Sequence, residues 1–487
     1  MSDFPRTVQF MGLNEPIRWE GSTPELEIEG EIPAEIQGAF FRAVPDPAHV
    51  PFVENDVLLS ADGMVSRILI KDGKVSHDCR YVHTARWQAE HEAGRALFGR
   101  YRNPFTDDPS VEGVDRTVSN TTPVWHAGKL YLTKEDGRAY RVDPHTLETL
   151  GSWDFDGALK SETMTAHVRI DPETKEMFFF GYEADGLASK NIAYCVVDPQ
   201  GNLVSEQSFD APYCSMMHDF AISEKYALFP VFPTTSDIDV LKEGGPHWIH
   251  HQDWDSWIGV VPRGGSVEDV RWFRGPKGVH VYHIVNAFDE GGKVHIDMCQ
   301  SDSNAFGFIR EDSGITIPQH ELGGGLVRWT LDMDGDSEEA EVAVIGPPGD
   351  LPRVRDADMG RPYAMAWYGT IDPEGPPPLM GGPVGIAFTA LLAFDPARGV
   401  VGGYTVPPMH AIHEPVHVPS SQEGHGGWLV ATADRMNGPD DYDSELWIFE
   451  ADAIGKGPIA SAKFPERIKP QVHGWWVPLA DYEAAKA

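Results

Sequence analysis

The sequence predicts an all-β protein, and a β-propeller is the architecture that fits it best. Two observations support this: short strands alternate with turn residues at even spacing, and helix-forming segments are scarce. The 487 residues would suffice for two or three ordinary domains or for one large all-β domain. Because no linker interrupts the pattern, we expect a single domain over residues 1–487.

Asp-Pro pairs mark the most regular turns, because proline presets φ and the aspartate side chain can bond the backbone. They stand between apolar runs at Asp143-Pro144, Asp171-Pro172, Asp198-Pro199 and Asp395-Pro396. The first three are spaced by roughly 27 residues, which is too short for a four-stranded blade of about 40–50 residues and fits one hairpin. The chain length then indicates about seven blades with long insertions, although length alone does not separate seven from six or eight.

Few other elements are expected. One helix is predicted from Thr84 to about Phe98, with Thr84 as its N-cap. The proline- and glycine-rich stretch 369–383 is predicted to be a loop. The longest apolar run, around residues 384–394, is too short to span a bilayer and is expected to be a buried strand.

The net charge of the chain argues against nucleic acid and anionic membranes as partners. With 75 acidic and 39 basic residues the formal net charge is -36, which repels nucleic acid and anionic membrane surfaces. The cysteines include no C-x-x-C pair, and the beginning of the chain has no basic segment followed by an apolar run. We therefore expect a reduced, cytoplasmic location without stable membrane association. The four cysteines are Cys79, Cys195, Cys214 and Cys299.

Four of the 20 histidines stand in strand-like contexts: His167, His218, His283 and His473. The intervals between the first three are about one blade each, so one histidine from each of four blades would converge on the propeller axis. Imidazole suits iron, copper, nickel and zinc alike, so this reasoning predicts a metal centre and leaves the ion open.

Other histidines fit a metal site less well. His280 is an odd number of residues from His283 on the same strand, so the two side chains should face opposite sides. His250 and His251 are expected in an exposed loop. The segment from His413 to His417 reads H-E-x-x-H, a zinc-protease signature that requires a helix, and its central proline disfavours one.

Motifs along nearly the whole chain resemble the carotenoid cleavage oxygenases, in particular the bacterial lignostilbene dioxygenases and isoeugenol oxygenases. They are Phe40-Phe41-Arg42, Asp62-Gly63-Met64-Val65, Leu97 to Phe105, Lys134-Glu135-Asp136-Gly137, His283-x-x-Asn286-Ala287-Phe288, Glu414-Pro415 and His473-Gly474-x-Trp476. The resemblance implies a seven-bladed β-propeller with a loop-and-helix cap over an axial metal site. It also implies one Fe(II) per chain held by the four histidines, O2 as co-substrate and no organic cofactor.

The same resemblance assigns roles to further side chains. Carboxylates that bond the far nitrogens of three histidines match Glu135, Asp350 and Glu414. Asp350 is a departure, because relatives mostly carry glutamate there, and the shorter side chain leaves open whether it reaches its histidine directly or through water.

Tyr101 and Lys134 match the tyrosine and lysine that meet the substrate phenol in the lignostilbene branch. A phenol oxygen that is deprotonated or strongly hydrogen-bonded pushes electron density into the alkene, and lysine stabilises a phenolate by charge. Phe306 and Phe308 alternate as two rings that could sandwich a flat substrate, and core packing explains them equally well.

The expected activity is oxidative cleavage of a small aromatic alkene that bears a 4-hydroxyl group. A stilbene would give two aromatic aldehydes; isoeugenol or 4-vinylguaiacol would give vanillin with acetaldehyde or formaldehyde. One alternative is cleavage of a carotenoid or apocarotenoid by the same iron chemistry. The other is a non-catalytic propeller that binds a partner protein. Whether the chain forms a homodimer is left open.

Overall fold

The computed structural model describes residues 4–315, 317 and 322–485. In this part of the chain 42% of residues are in strands and 9% in helices, which confirms the all-β prediction. The strands form seven antiparallel sheets of four to six strands, numbered here as blades 1 to 7, and one smaller sheet. The seven blades confirm the predicted propeller.

Blades 2 to 6 are simple meanders, since their four strands are hydrogen-bonded in chain order. Blade 2 comprises Thr122–His126, Lys129–Thr133, Tyr140–Val142 and Thr149–Ser152; blade 3 Arg169–Ile170, Met177–Tyr182, Asn191–Val197 and Leu203–Asp210; blade 4 Ala221–Ile222, Tyr226–Val231, Asp255–Pro262 and Arg271–Lys277; blade 5 His280–Glu290, Lys293–Ser301, Gly324–Asp332 and Glu341–Gly346; and blade 6 Asp350–Val354, Ala366–Thr370, Ala390–Asp395 and Gly399–Thr405.

Blades 1 and 7 each combine strands from both ends of the chain. Blade 1 has the order Gly21–Thr23, Lys74–Tyr81, Gly63–Lys71, Gly38–Pro45 and Gly474–Pro478. Blade 7 has the order Glu27–Gly30, Ala460–Lys463, Asp441–Glu450, Trp428–Gly438 and His410–Ile412, with Val416–Val418 also paired to its fourth strand. Hydrogen bonds between the two ends of the chain therefore close the ring at two places.

The predicted Asp-Pro turns are confirmed. In each, the aspartate Oδ1 accepts hydrogen bonds from two backbone N–H groups: Asp143 from His145 and Thr146, Asp171 from Glu173 and Thr174, Asp198 from Gln200 and Asn202, and Asp395 from Ala397 and Arg398. Each turn joins two neighbouring strands of one blade. The spacing between these turns therefore marks half a blade, as expected.

Three insertions contact one another above the blades and form a cap. They are the connection between blades 1 and 2 and long loops within blades 4 and 5. The side-chain amide of Asn103, in the first insertion, donates to Leu241 and Gly245 in the second at 3.0 and 2.8 Å. A small sheet joins the second to the third; its strands are Thr234–Thr235, Ile249–His250 and Arg310–Glu311.

The described residues contain three α-helices: Ala85–Ala93, Ile238–Lys242 and Leu479–Glu483. Thr84 caps the first by accepting from Trp87 N, as predicted. The predicted end near Phe98 was wrong, because Gly94 adopts a left-handed conformation with φ 67° and ends the helix there. Among the described residues, no helix has the length and apolar character needed to cross a membrane.

The core lies between the faces of neighbouring blades. Phe40 and Ile68 of blade 1 pack with Val430 and Ile448 of blade 7 in one apolar cluster. Blades 3 and 4 share another cluster, in which the rings of Phe180 and Phe229 lie 5.9 Å apart. Each blade is thus held by both of its neighbours, which fixes the positions of the inner strand ends around the axis.

Candidate metal centre and substrate pocket

Four imidazoles meet on the axis of the ring. His167 and His218 lie two and three residues before the first strands of blades 3 and 4, His283 lies in the first strand of blade 5, and His473 directly precedes the last strand of blade 1. Their ligand nitrogens all lie within 4.8 Å of one another. The Nε2 atoms of His167 and His218 are 3.0 Å apart, and those of His283 and His473 are 3.1 Å apart.

The remaining three blades each supply one carboxylate. Glu135 follows the second strand of blade 2, Asp350 opens the first strand of blade 6, and Glu414 lies between two short strands of blade 7. The imidazole Nδ1 groups donate to them: His218 to Glu135 at 2.6 Å, His283 to Asp350 at 2.7 Å and His473 to Glu414 at 2.9 Å. Each bond turns Nε2 of its ring towards the axis, as ligand orientation requires.

The pKa shifts of one histidine and two carboxylates at this site favour metal binding. Burial and the three facing imidazoles hold the pKa of His167 well below its ordinary value, so its ring is neutral. Burial raises the pKa of Glu135, but the stronger combined effect of His218 and the neighbouring cations lowers it to about 2. The pKa of Glu414 is lowered as well, since His473 and Arg353 outweigh its burial. Both carboxylates are therefore ionised acceptors at neutral pH.

Asp350 reaches His283 without a bridging water, which answers the question that its short side chain raised. Its Oδ1 lies 2.7 Å from His283 Nδ1 and also accepts from Leu351 N at 2.9 Å. The Asp350 side chain is 31% exposed, whereas those of Glu135 and Glu414 are 3% and 4% exposed. We expect the bond to Asp350 to constrain its histidine least, because water competes for the carboxylate.

Four converging imidazole nitrogens fit a transition-metal ion, and among the described residues no thiol or carboxylate oxygen belongs to the cluster. All four histidines singled out in the sequence lie in this cluster. All three carboxylates matched by resemblance bond its outer nitrogens. His167 alone has no carboxylate on its ring among the described residues.

Sequence reasoning missed a buried ion network behind Glu135. Arg102 Nη1 lies 3.6 Å from Glu135 Oε1, and Arg102 Nη2 donates to Glu183 Oε2 at 2.6 Å. His247 Nε2 lies 3.0 Å from the same Glu183 oxygen, and its Nδ1 donates to Arg102 O at 2.8 Å. In the sequence, Arg102 could have been noticed because it directly follows Tyr101, a predicted substrate contact.

A largely apolar pocket lies against His218 and His283. The side chains that line it include Leu59, Lys134, Met216, Tyr282, Phe306, Val384, Ile386, Phe388 and His413. Of the four predicted substrate contacts, Lys134 and Phe306 form part of its wall. Tyr101 and Phe308 pack directly behind it, with ring centroids 5.8 Å apart.

Lys134 brings the pocket a buried positive charge. Its Nζ lies 5.4 Å from the centre of the Tyr101 ring, and burial lowers its pKa from the ordinary lysine value. No described residue forms an ion pair or hydrogen bond with Nζ. The Tyr101 hydroxyl likewise has no hydrogen-bond partner among the described residues. Phe306 stacks on Phe308 with centroids 5.1 Å apart, which gives the wall a flat aromatic face.

The expectation of an exposed loop was wrong for His250. The His250 ring is fully buried. It forms hydrogen bonds with Thr234 Oγ1 and Gly278 O, both at 2.8 Å, and so anchors the small cap sheet. His280 bonds Thr234 at 3.1 Å and lies outside the four-histidine cluster, as expected. His413 and His417 lie in or next to short strands rather than on a helix.

Comparisons with known proteins agree with this geometry. The RPE65 family, described as retinal pigment epithelial membrane protein, matches residues 14–478. Lignostilbene-α,β-dioxygenase isozyme III of Sphingomonas paucimobilis is 41% identical over 484 residues, covering 98% of both chains. The isoeugenol monooxygenase of Pseudomonas putida is 36% identical over 485 residues, covering 98% of this chain and 99% of its own.

A solved structure is also similar. The crystal structure of Pseudomonas brassicacearum lignostilbene dioxygenase superimposes with a TM-score of 0.93 at 37% identity, covering 98% of this chain and 100% of that one. The likeness therefore extends over the entire ring and cap and is not limited to isolated motifs.

Substitution of one of the four clustered histidines tests the metal centre. His283→Ala should bind less than a tenth of the iron bound by the wild type, because three imidazoles remain and one carboxylate loses its partner. The measurement is metal content per folded chain after loading with Fe(II) and desalting. His280→Ala is the matched control, since it removes a buried histidine from the same strand outside the cluster. Equal iron loss in both variants would contradict the assignment.

The three carboxylates should differ in their effect on the metal. Glu135→Gln should weaken metal affinity by roughly 10–100-fold, the usual cost of losing a partner of a ligating histidine. Asp350→Asn should weaken it less, because Asp350 is partly exposed and water can replace it. Competition with a chromophoric chelator measures both dissociation constants. A larger loss of metal affinity in Asp350→Asn than in Glu135→Gln would show that solvent exposure of the carboxylate does not determine the size of the effect.

Proposed function

Because this chain belongs to the RPE65 family of carotenoid cleavage oxygenases, we propose that it uses Fe(II) and O2 to cleave the C=C bond of 4-hydroxyphenyl alkenes. Its relatives are named dioxygenases and monooxygenases, so the chain is an alkene-cleaving oxygenase. The observation that carries the proposal is the convergence of seven blades on one polar centre beside an apolar pocket lined by Lys134, whose Nζ has no hydrogen-bond or ion-pair partner among the described residues.

The proposed ligands of the ion are His167, His218, His283 and His473, one ion per chain. Bound iron would activate O2 for the cleavage, and no organic cofactor is needed. Neutral imidazoles leave the ion its full charge, and four ligands leave positions open on it. The role of Glu135, Asp350 and Glu414 is to hold three of the rings in one tautomer and orientation.

Lys134 is proposed to bind the phenol oxygen of the substrate. Burial lowers the pKa of Lys134, and its ammonium form would stabilise a phenolate by charge and hydrogen bonding. A negatively charged phenol oxygen raises the electron density of the conjugated alkene. The Tyr101 hydroxyl beside Lys134 is a second donor for this oxygen.

The flat wall formed by Phe306, with Phe308 behind it, supports an aromatic substrate. Lignostilbene-type stilbenes, isoeugenol and 4-vinylguaiacol all meet this requirement, and the last two would release vanillin. Cleavage of an apocarotenoid is the alternative within the family. We retain the cytoplasm as the proposed location, since Cys79, Cys195, Cys214 and Cys299 are unpaired and buried. Formation of a homodimer stays a prediction.

The activity is tested by aldehyde release from a 4-hydroxystilbene, isoeugenol, 4-vinylguaiacol, their 4-methoxy analogues and one apocarotenoid, with iron-loaded protein in air. The free phenols should be cleaved and the methoxy analogues should not. Lys134→Met should keep its iron and lower kcat/KM for the phenols by roughly 10²–10³-fold, as expected for loss of one charge-stabilising group.

Lys129→Met is the control, since it removes a lysine from the same hairpin of blade 2 outside the pocket. Normal turnover of phenols by Lys134→Met would exclude the phenolate role. Cleavage of the apocarotenoid alone would replace the proposed substrate class and leave the metal centre in place.

A further inference from the structure

We propose that His413, held by Asp434, forms a second hydrogen-bonding site in the pocket, which binds the hydroxyl group on the far ring of a bis-hydroxylated stilbene. The inference rests on the proposed function and narrows its substrate class. It assigns a role to the histidine of the H-E-x-x-H segment that lies beside the pocket.

His413 is fixed by a chain of buried hydrogen bonds in blade 7. Its Nε2 donates to Asp434 Oδ2 at 2.6 Å, and Asp434 Oδ1 accepts from Ser444 Oγ at 2.6 Å. Asp434 and Ser444 are direct partners on adjoining strands, and His413 N donates to Thr432 O at 3.0 Å. The imidazole is therefore held on a rigid sheet with a defined orientation.

One ring nitrogen of His413 has no hydrogen-bond partner among the described residues. Since Nε2–H donates to the Asp434 carboxylate, Nδ1 is the ring nitrogen that remains for a hydrogen bond with a ligand. No described residue bonds Nδ1, although His413 is only 7% exposed and lines the pocket. A hydroxyl group of a ligand can both donate and accept, so it would supply this nitrogen with a hydrogen bond.

Most other polar side chains of the pocket already have partners. Glu135, His218 and His283 are bonded within the metal centre, and the Tyr282 hydroxyl donates to Asn304 at 2.5 Å. Gln471 Oε1 accepts from Arg42 at 2.7 Å. Among the described residues of the pocket, Lys134 Nζ and His413 Nδ1 are nitrogens that no protein group bonds, whereas Gln471 Nε2 donates to Glu414 O at 3.5 Å.

The two groups belong to different blades. Lys134 directly follows the second strand of blade 2, where Thr121 N donates to Thr133 O at 3.1 Å. His413 directly follows the strand His410–Ile412 of blade 7, and Ile412 N donates to Phe388 O at 3.1 Å. Both side chains line the pocket together with apolar side chains.

This distribution matches a substrate with two aromatic rings and a hydroxyl group on each. One phenol would meet Lys134 and the other would donate to His413 Nδ1, while the rings cover the apolar walls. A phenylpropene has a single ring and would leave His413 without a partner. The pocket should therefore prefer the bis-hydroxylated stilbene to a monohydroxylated one.

Binding to the metal-free protein tests this preference without turnover. The probes are 4-hydroxystilbene and 4,4'-dihydroxystilbene, with dissociation constants from tryptophan fluorescence quenching. Wild-type protein should bind the dihydroxy compound about five- to tenfold more tightly, the range expected for one neutral hydrogen bond. In His413→Leu the ratio should fall to about two, the statistical advantage of a symmetric ligand that offers Lys134 two equivalent phenols, with the affinity for 4-hydroxystilbene little changed.

His417→Gln is the matched control, because this buried histidine of the same segment bonds Gly426 O away from the pocket. It should keep the wild-type ratio. Asp434→Asn supplies a second variant that can reverse the tautomer, and it should also lower the ratio. A wild-type ratio in His413→Leu would overturn the inference.

Aldehyde release by the iron-loaded wild type separates the two proposals. If aldehyde forms but the binding ratio does not depend on His413, the second site is wrong and the activity stands. If neither stilbene is cleaved while the ratio depends on His413, the second site stands and the proposed activity fails.

Discussion

The hydrogen bonds between imidazole Nδ1 groups and carboxylates are the interactions on which the site depends, because each joins two different blades. Four blades supply a histidine and the other three supply a carboxylate, so the centre exists only when the ring is complete. The closing strand Gly474–Pro478 directly follows His473, and its first amide donates to Glu414 Oε2 at 2.7 Å. The strand that closes the ring thus also positions one histidine and its carboxylate partner.

The sequence predicted those features that local chemistry or chain spacing determines. The Asp-Pro turns and the Thr84 cap depend on groups within a few residues, and the histidines were identified by blade-length intervals together with their motifs. The end of the first helix was misjudged because the apolar pattern continues past Gly94. The burial of His250 depends on the contact between cap and blades, and the Arg102–Glu183–His247 network joins residues far apart in the chain. Whether Asp350 reaches its histidine depends on strand register in blade 6, which composition does not reveal.

The pocket combines an apolar wall with a very small number of unpartnered polar groups. Polar side chains near the metal centre are bonded to one another, so they fix geometry and are not free to bind a ligand. Substrate selectivity is then determined by the polar groups that have no protein partner. A site built to hydrogen-bond a hydroxyl group discriminates strongly against analogues that lack it, whereas apolar walls discriminate weakly by size.

The assignment of the metal centre is tested directly by anomalous X-ray diffraction at the iron absorption edge from crystals of the Fe(II)-loaded protein, grown without oxygen. We expect a single strong peak on the ring axis, within about 2.3 Å of Nε2 of His167, His218, His283 and His473 and with no carboxylate ligand. A peak at the His413–His417 segment, or iron bound directly by Glu135, Asp350 or Glu414, would contradict it.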